Sequence, residues 1–167
     1  MRRLTTLSVV CLAGFSLVSV VRADDDKCKD VSAHAVLTVI PAPNEPLGRF
    51  LGSSTGNLKA AISGNLTSLT PQPDGSIQAT SVDVWVLGPQ DILILNCKTT
   101  LTPIPGAPMG TFSDSSSYTV AGGTGRFVGA SGELHLTGTG FNVFGPKAGS
   151  GSTYFDGTYT GNICRSK

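Results

Sequence analysis

The chain is short of charge, short of histidine and without helical periodicity. Charged residues make up 14% of the 167, with 12 Lys and Arg against 11 Asp and Glu and no basic face or arginine-rich run. Nucleic-acid binding therefore has no electrostatic footprint. His34 and His135 are the only histidines, and the cysteines match no zinc spacing, so the sequence offers no metal site and implies no cofactor. Beyond residue 23 apolar residues do not recur at i, i+3, i+4, and Gly, Thr, Ser and Pro are spread throughout, which excludes a helical fold. There is no solenoid-length repeat, low-complexity linker or second domain.

Residues 1–23 read as a secretory signal. Arg2 and Arg3 open it, Leu4 to Val21 is an apolar stretch, and Val21 and Ala23 place small residues at the −3 and −1 positions of a cleavage site. An uncleaved anchor is the alternative, since the run is about long enough to span a bilayer; its Ser and Thr content and the processing site favour cleavage. Cys11 follows Val10 rather than a small residue, which argues against a lipid anchor. The expected product is a single domain, residues 24–167, secreted to an extracellular or periplasmic space and free of the membrane. Losing Arg2, Arg3 and Arg22 leaves nine basic against eleven acidic residues, a net charge of −2. Asp24, Asp25 and Asp26 read as a solvated tail.

Export implies an oxidising compartment, and three cysteines remain: Cys28, Cys97 and Cys164. Cys28 precedes the first strand-like run and Cys164 ends the last. If the sheet closes on itself with those strands antiparallel, the two meet, so the expected disulfide is Cys28–Cys164, with Cys97 left as a buried thiol.

Eight strand-like runs follow one another: Val31–Ile40, Phe50–Ser53, Leu58–Leu69, Ser76–Leu87, Asp91–Thr102, Phe112–Ala121, Gly132–Phe141 and Ser152–Cys164. In the third, Leu58, Ala60, Ile62, Gly64 and Leu66 share a face. In the fourth, Val82, Val84 and Val86 read as the inner face, and Ser81, Asp83 and Trp85 as the outer. Leu93, Leu95, Cys97 and Thr99 share a face of the fifth; Leu134, Leu136 and Gly138 share one of the seventh. The expected fold is all-β, an eight-stranded antiparallel barrel, with a sandwich as the alternative. Glycines on inward faces (Gly64, Gly138, Gly157 and Gly161) favour the barrel, where strands bend sharply.

The chain is organised around 122–141, GGTGRFVGASGELHLTGTGF: a glycine turn, a short link and an alternating strand. Tyr118 to Phe127 (YTVAGGTGRF), followed by Gly129 to Gly132 (GASG), resembles the turn of the allene oxide cyclase and dirigent barrels, above all the small secreted, uncharacterised members of that superfamily. The pattern is Tyr-x-x-x-Gly-Gly-[Ser/Thr]-Gly-x-Phe and then Gly-x-x-Gly into a strand. It rests on Gly122, Gly123, Gly125 and Phe127 and covers about residues 110–163. The resemblance implies an eight-stranded barrel with an apolar interior, often trimeric, whose members bind or cyclise small hydrophobic molecules or steer phenoxy-radical coupling.

Catalytic residues are unknown at this level. Gly123 to Gly125 is no phosphate loop, since neither a helix nor a placed lysine follows. Ser131 lies outside a Gly-x-Ser-x-Gly elbow. Glu133 and His135 share a strand face and read as an exposed polar stripe, a catalytic pair being the alternative. Asp83 reads as outward, with a buried acid of raised pKa as the alternative. Asn65 heads an Asn-Leu-Thr glycosylation sequon. Strands four and five are apolar on both faces, so Trp85, Leu87, Ile92 and Ile94 read as an outward surface for self-association, unless a loop or the segment 103–108 covers them. Three functions remain open: a secreted, non-catalytic barrel binding a small hydrophobic molecule, with Leu93, Leu95, Leu134 and Leu136 lining its interior; a dirigent- or cyclase-like enzyme acting on a small apolar substrate; and a structural or surface-interaction protein with a filled barrel.

Overall fold

A computed structural model describes residues 27–42, 45–143 and 153–166. The expected signal segment 1–23, the acidic residues Asp24 to Asp26 and the whole glycine-rich loop at 145–151 lie outside them. The described chain forms eight antiparallel strands in sequence order: β1 (Lys27–Ala42), β2 (Glu45–Gly56), β3 (Ala60–Pro71), β4 (Ile77–Val86), β5 (Ile92–Pro103), β6 (Phe112–Gly123), β7 (Ser131–Phe141) and β8 (Thr153–Arg165). Each strand pairs with the next, and β1 pairs with β8, so the sheet closes into a barrel. Closure removes the two sheet edges that an open meander would expose.

The closing seam runs in register from Lys27↔Arg165 to Val39↔Thr153. It places Cys28 opposite Cys164, and the two are joined by a disulfide across 136 residues. Close approach shapes the neighbouring seam: Gly138 of β7 faces Gly157 of β8, and a Cβ on Gly138 would run into the β8 backbone. Glycine there lets the wall curve where a side chain would prop it open.

Inward positions alternate along every strand. Ala33, Ala35 and Leu37 of β1, Ile62 of β3, Leu93 and Leu95 of β5, Leu134 and Leu136 of β7, and Tyr159 and Ile163 of β8 form one buried core. Ile77, Leu101 and Val143 make a second cluster, with Leu69, Phe112 and Phe155 packed on it, at the end of the barrel remote from the disulfide.

Strand β4 corrects the expected orientation. Ile77, Ala79, Ser81, Asp83 and Trp85 face inward, and Trp85 is fully buried, whereas Val82 and Val86 are 40% and 43% exposed. The three valines dominate the local pattern, but a β-branched residue suits either face of a pleated strand. The indole is too large to leave in water when the barrel axis offers it a place. Ile77 and Ala79 share the parity of Trp85, while Gln78 and Thr80 share that of the valines; this parity was the available clue. Leu87 also packs on the core. Of the four residues expected on an outer surface, only the half-buried Ile92 and Ile94 point outward.

Candidate functional site

The glycine turn between β6 and β7 builds one end of the barrel. It contains a single 3-10 turn, Gly125–Phe127. Gly125 sits at φ +57, and a Cβ there would strike Asp91 Oδ1 and the Gln90 carbonyl, so only glycine fits without displacing that loop. The docking is polar. Thr124 N donates to the Ile92 carbonyl at 2.8 Å, Thr124 Oγ1 to the Gln90 carbonyl at 2.6 Å, and Arg126 N to Asp91 Oδ1 at 3.0 Å. The turn thereby drives Phe127 into the core, 4% exposed, and leaves Arg126 on the rim. The Arg126 guanidinium pairs with Asp91 Oδ2 at 3.1 Å and lies 5.1 Å from the Phe127 ring centroid.

Around this end lies a half-open bowl of about 350 Å³. Its floor is apolar: Val31, Leu58, Phe127 and Ile163, all buried members of the main core. Its rim carries Lys29, Arg126 and Arg165, with Asp30 and Asn57 beside them. Leu58 is held by Ser54, whose hydroxyl donates to the Leu58 carbonyl at 2.6 Å and accepts from Ala60 N at 3.1 Å. Asn57 ties the β2–β3 turn to β1: its side chain accepts from Ser32 N at 2.9 Å and donates to the Asp30 carbonyl at 3.0 Å.

Below the floor the interior is two-sided. The β1, β7 and β8 walls are largely aliphatic or glycine, while β4, β5 and β6 carry a polar belt. Cross-strand register aligns Ser81, Cys97 and Tyr118 in one row and Ala79, Thr99 and Ser116 in the next. Ser81 Oγ donates to Asp83 Oδ1 at 2.7 Å, and Ser116 Oγ donates to Asp114 Oδ1 at 2.6 Å. Thr99 Oγ1 lies 2.7 Å from Ser116 Oγ and 3.3 Å from Cys97 Sγ, linking the row to the buried free thiol. Tyr159 donates its hydroxyl to Tyr118 at 3.2 Å, and the rings of Trp85, Tyr118 and Tyr159 form a triangle of edge-on contacts with centroids 4.8 to 6.2 Å apart.

Two carboxyls in this belt are perturbed. Burial pushes Asp83 up to about 7, against the lowering effect of Ser81 and, more weakly, of Trp85. Burial likewise pushes Asp114 up to about 6, opposed by Ser116. The Cys97 thiol and both tyrosine hydroxyls are also pushed up, chiefly by burial. Asp83 Oδ2 and Trp85 Nε1 are buried without a hydrogen-bond partner, so the indole influences the carboxylate without completing a bond to it. Below about pH 7 the belt thus holds a proton at Asp83. The reading of Asp83 as outward is corrected by the same register that turns Trp85 inward.

The other candidates separate. Leu93, Leu95, Leu134 and Leu136 face the interior at 0 to 2% exposure, and none lines the bowl. Gly122 and Gly123 end β6 in the turn. Glu133, His135 and Ser131 are exposed. His34 is exposed too and meets Asp156 across the closing seam at 2.7 Å. Asn65 is exposed in mid-β3, where its side-chain oxygen accepts from Arg49 Nε at 3.1 Å. Among the described residues no group of three or more His, Cys, Asp or Glu side chains could hold a metal ion, and no helix is long and apolar enough to cross a membrane. The bowl is the feature sequence reasoning missed, and the buried acid at Asp83 stood in it only as the alternative to an outward residue. The bowl is assembled from the ends of β1, β8 and two turns, so no contiguous motif announces it.

No protein family, curated protein or solved structure matches the chain.

Proposed function

We propose that the protein is a secreted, non-catalytic barrel that binds a small apolar molecule in the bowl at its disulfide end. The observation that carries this is the bowl itself: a concavity within the size range of ligand sites, floored by core side chains and braced by hydrogen-bonded turns. A disulfide at its edge fits an oxidising compartment outside the cell. Kinship with the allene oxide cyclase and dirigent barrels is part of the proposal, supported by the glycine turn and the closed eight-stranded topology. Calorimetric titration of the exported, disulfide-bonded protein with 2-naphthalenemethanol tests the reading. Saturable binding that is lost in Leu58→Trp, which fills the bowl, is expected; no saturation below about millimolar, a free energy of roughly −4 kcal/mol, overturns it and leaves the filled-barrel structural reading.

The interior acid favours a second reading, the cyclase- or dirigent-like enzyme. Asp83 is fully buried and outside the bowl, so a small apolar substrate would have to enter the interior to meet this carboxyl, able to hold or release a proton near neutral pH, beside the Tyr118–Tyr159 hydroxyl pair. Loss of turnover in Asp83→Asn with unchanged binding in the bowl would distinguish it from simple binding.

For self-association we infer the outer face of β4 and β5, with the valines in place of Trp85 and Leu87. Val84 pairs across the strands with Ile94, and Val86 with Ile92, giving adjacent outward apolar columns.

A further inference from the structure

The two strands that close the barrel end their inward columns in positive charge. On β1 the inward positions run Leu37, Ala35, Ala33, Val31 and then Lys29; on β8 they run Tyr159, Gly161, Ile163 and then Arg165. The pattern that calls for one more apolar residue receives a cation on both strands at once. Lys29 stands opposite Ile163, so Arg165, two residues on, is its diagonal neighbour on the same face, within reach of a long side chain. Both line the bowl. On the outer face of the same seam the Cys28–Cys164 bond holds the two strands together, so the like charges cannot part by fraying.

Among the described residues the charges on this rim do not cancel. Arg126 is already met by Asp91. Among the described residues Asp30 is the one acidic residue lining the bowl, and set against either Lys29 or Arg165 it leaves one positive charge over. That excess is local: beyond residue 23 the chain as a whole carries −2. Like charges placed side by side destabilise a sheet unless something of opposite sign lies between them. Beneath them lies the apolar floor of Val31, Leu58, Phe127 and Ile163.

We infer that the bowl selects an amphipathic monoanion, an aryl or alkyl carboxylate, whose acid group sits between Lys29 and Arg165 and whose apolar body lies on the floor. This rests on the binding reading above and narrows it from any small apolar molecule to an acid. The guanidinium fork offers two parallel donors to a carboxylate and the ammonium adds a point charge, while a neutral ligand offers them an uncharged acceptor and no charge attraction. A bare inorganic anion would take up the charge but leave the floor unused.

Calorimetry on the exported, disulfide-bonded protein tests this with three probes: 2-naphthoate, 2-naphthalenemethanol and inorganic phosphate. The acid is expected to bind about tenfold tighter than the alcohol, the scale of one charge-assisted contact, and phosphate to bind more weakly than either. Between about 20 and 300 mM salt the advantage of the acid should shrink while the affinity for the alcohol holds. In the double variant Lys29→Gln, Arg165→Gln the acid should lose its advantage and bind no tighter than the alcohol does to the same variant. Equal affinity for acid and alcohol in the unaltered protein overturns the anion inference and leaves the apolar reading standing. Failure of both naphthyl probes overturns the apolar reading and this inference together. Phosphate binding as tightly as the acid shows a plain ion site and overturns the amphipathic assignment. An advantage that survives the double variant overturns the assignment to Lys29 and Arg165. If that variant does not fold, as judged by circular dichroism and the disulfide mass, the salt series on the unaltered protein decides.

Discussion

Asp83 is a carboxyl whose proton the fold holds up to about pH 7. Its folded-state pKa of about 7 lies above the ordinary aspartate value, so between roughly pH 4 and pH 7 the folded chain holds a proton that the unfolded chain has released. Stability from this group is therefore complete at the acid end of the window and is lost as pH rises through 7, on the order of 4 kcal/mol in all. Asp114 acts with the same sign, less strongly, between roughly pH 4 and pH 6. The expected outcome is a melting temperature that falls from pH 5 to pH 8, with Asp83→Asn removing most of the fall and melting above the parent at pH 8. Thermal melts at both pH values check this, and a variant with the parent's slope would refute it. Phe127 and Gly125 are the other decisive single residues. Phe127→Ala removes a buried ring and should cost about 3–5 kcal/mol. Gly125→Ala should cost about 1–2 kcal/mol from the left-handed backbone alone, and more once Asp91 is displaced. Urea titration reads both, and the second should also loosen Arg126.

At the scale of elements, the seam between β1 and β8 carries the architecture. It joins residues 136 apart, so the chain-entropy model allows the disulfide up to about 5 kcal/mol. Cys28→Ser paired with Cys164→Ser should lower the urea midpoint, with the barrel retained because thirteen pairs of backbone register remain. An unchanged midpoint would mean that the unfolded chain is not constrained by the bond. Strand β2 shows why some elements are hard to read. Its stretch GRFLGSSTG alternates weakly, and only Phe50–Ser53 stands out as strand; pairing with both β1 and β3 extends it to Glu45–Gly56. Strands β3 and β8 were legible on both faces because their apolar and polar sets separate cleanly. Strand β4 was not, since valine is at home on either face and the largest side chain sat with the polar set. Its outward valines yield another expectation. Val84→Lys should shift light scattering of the disulfide-bonded protein from an oligomeric to a monomeric mass, and a parent that is monomeric at micromolar concentration would end the self-association proposal.

For the molecule as a whole, closure turns eight ordinary strands into a vessel with two unlike ends. One is packed by Ile77, Leu101 and Val143; the other opens into a bowl rimmed by cations. The amino-acid sequence alone determined the strand class, the count of eight, the inward leucines and the partner of Cys28. Period-2 alternation, turn chemistry and the position of a cysteine at each end of the sheet are local facts that survive in one dimension. Only the tertiary structure decided which way β4 faces, that Asp83 is buried without a second partner, and that Lys29, Arg165 and Phe127 share one concavity. Those depend on register across strands and on the meeting of distant chain ends. A strand's own sequence does not specify which of its two faces will be enclosed until its neighbours close around it.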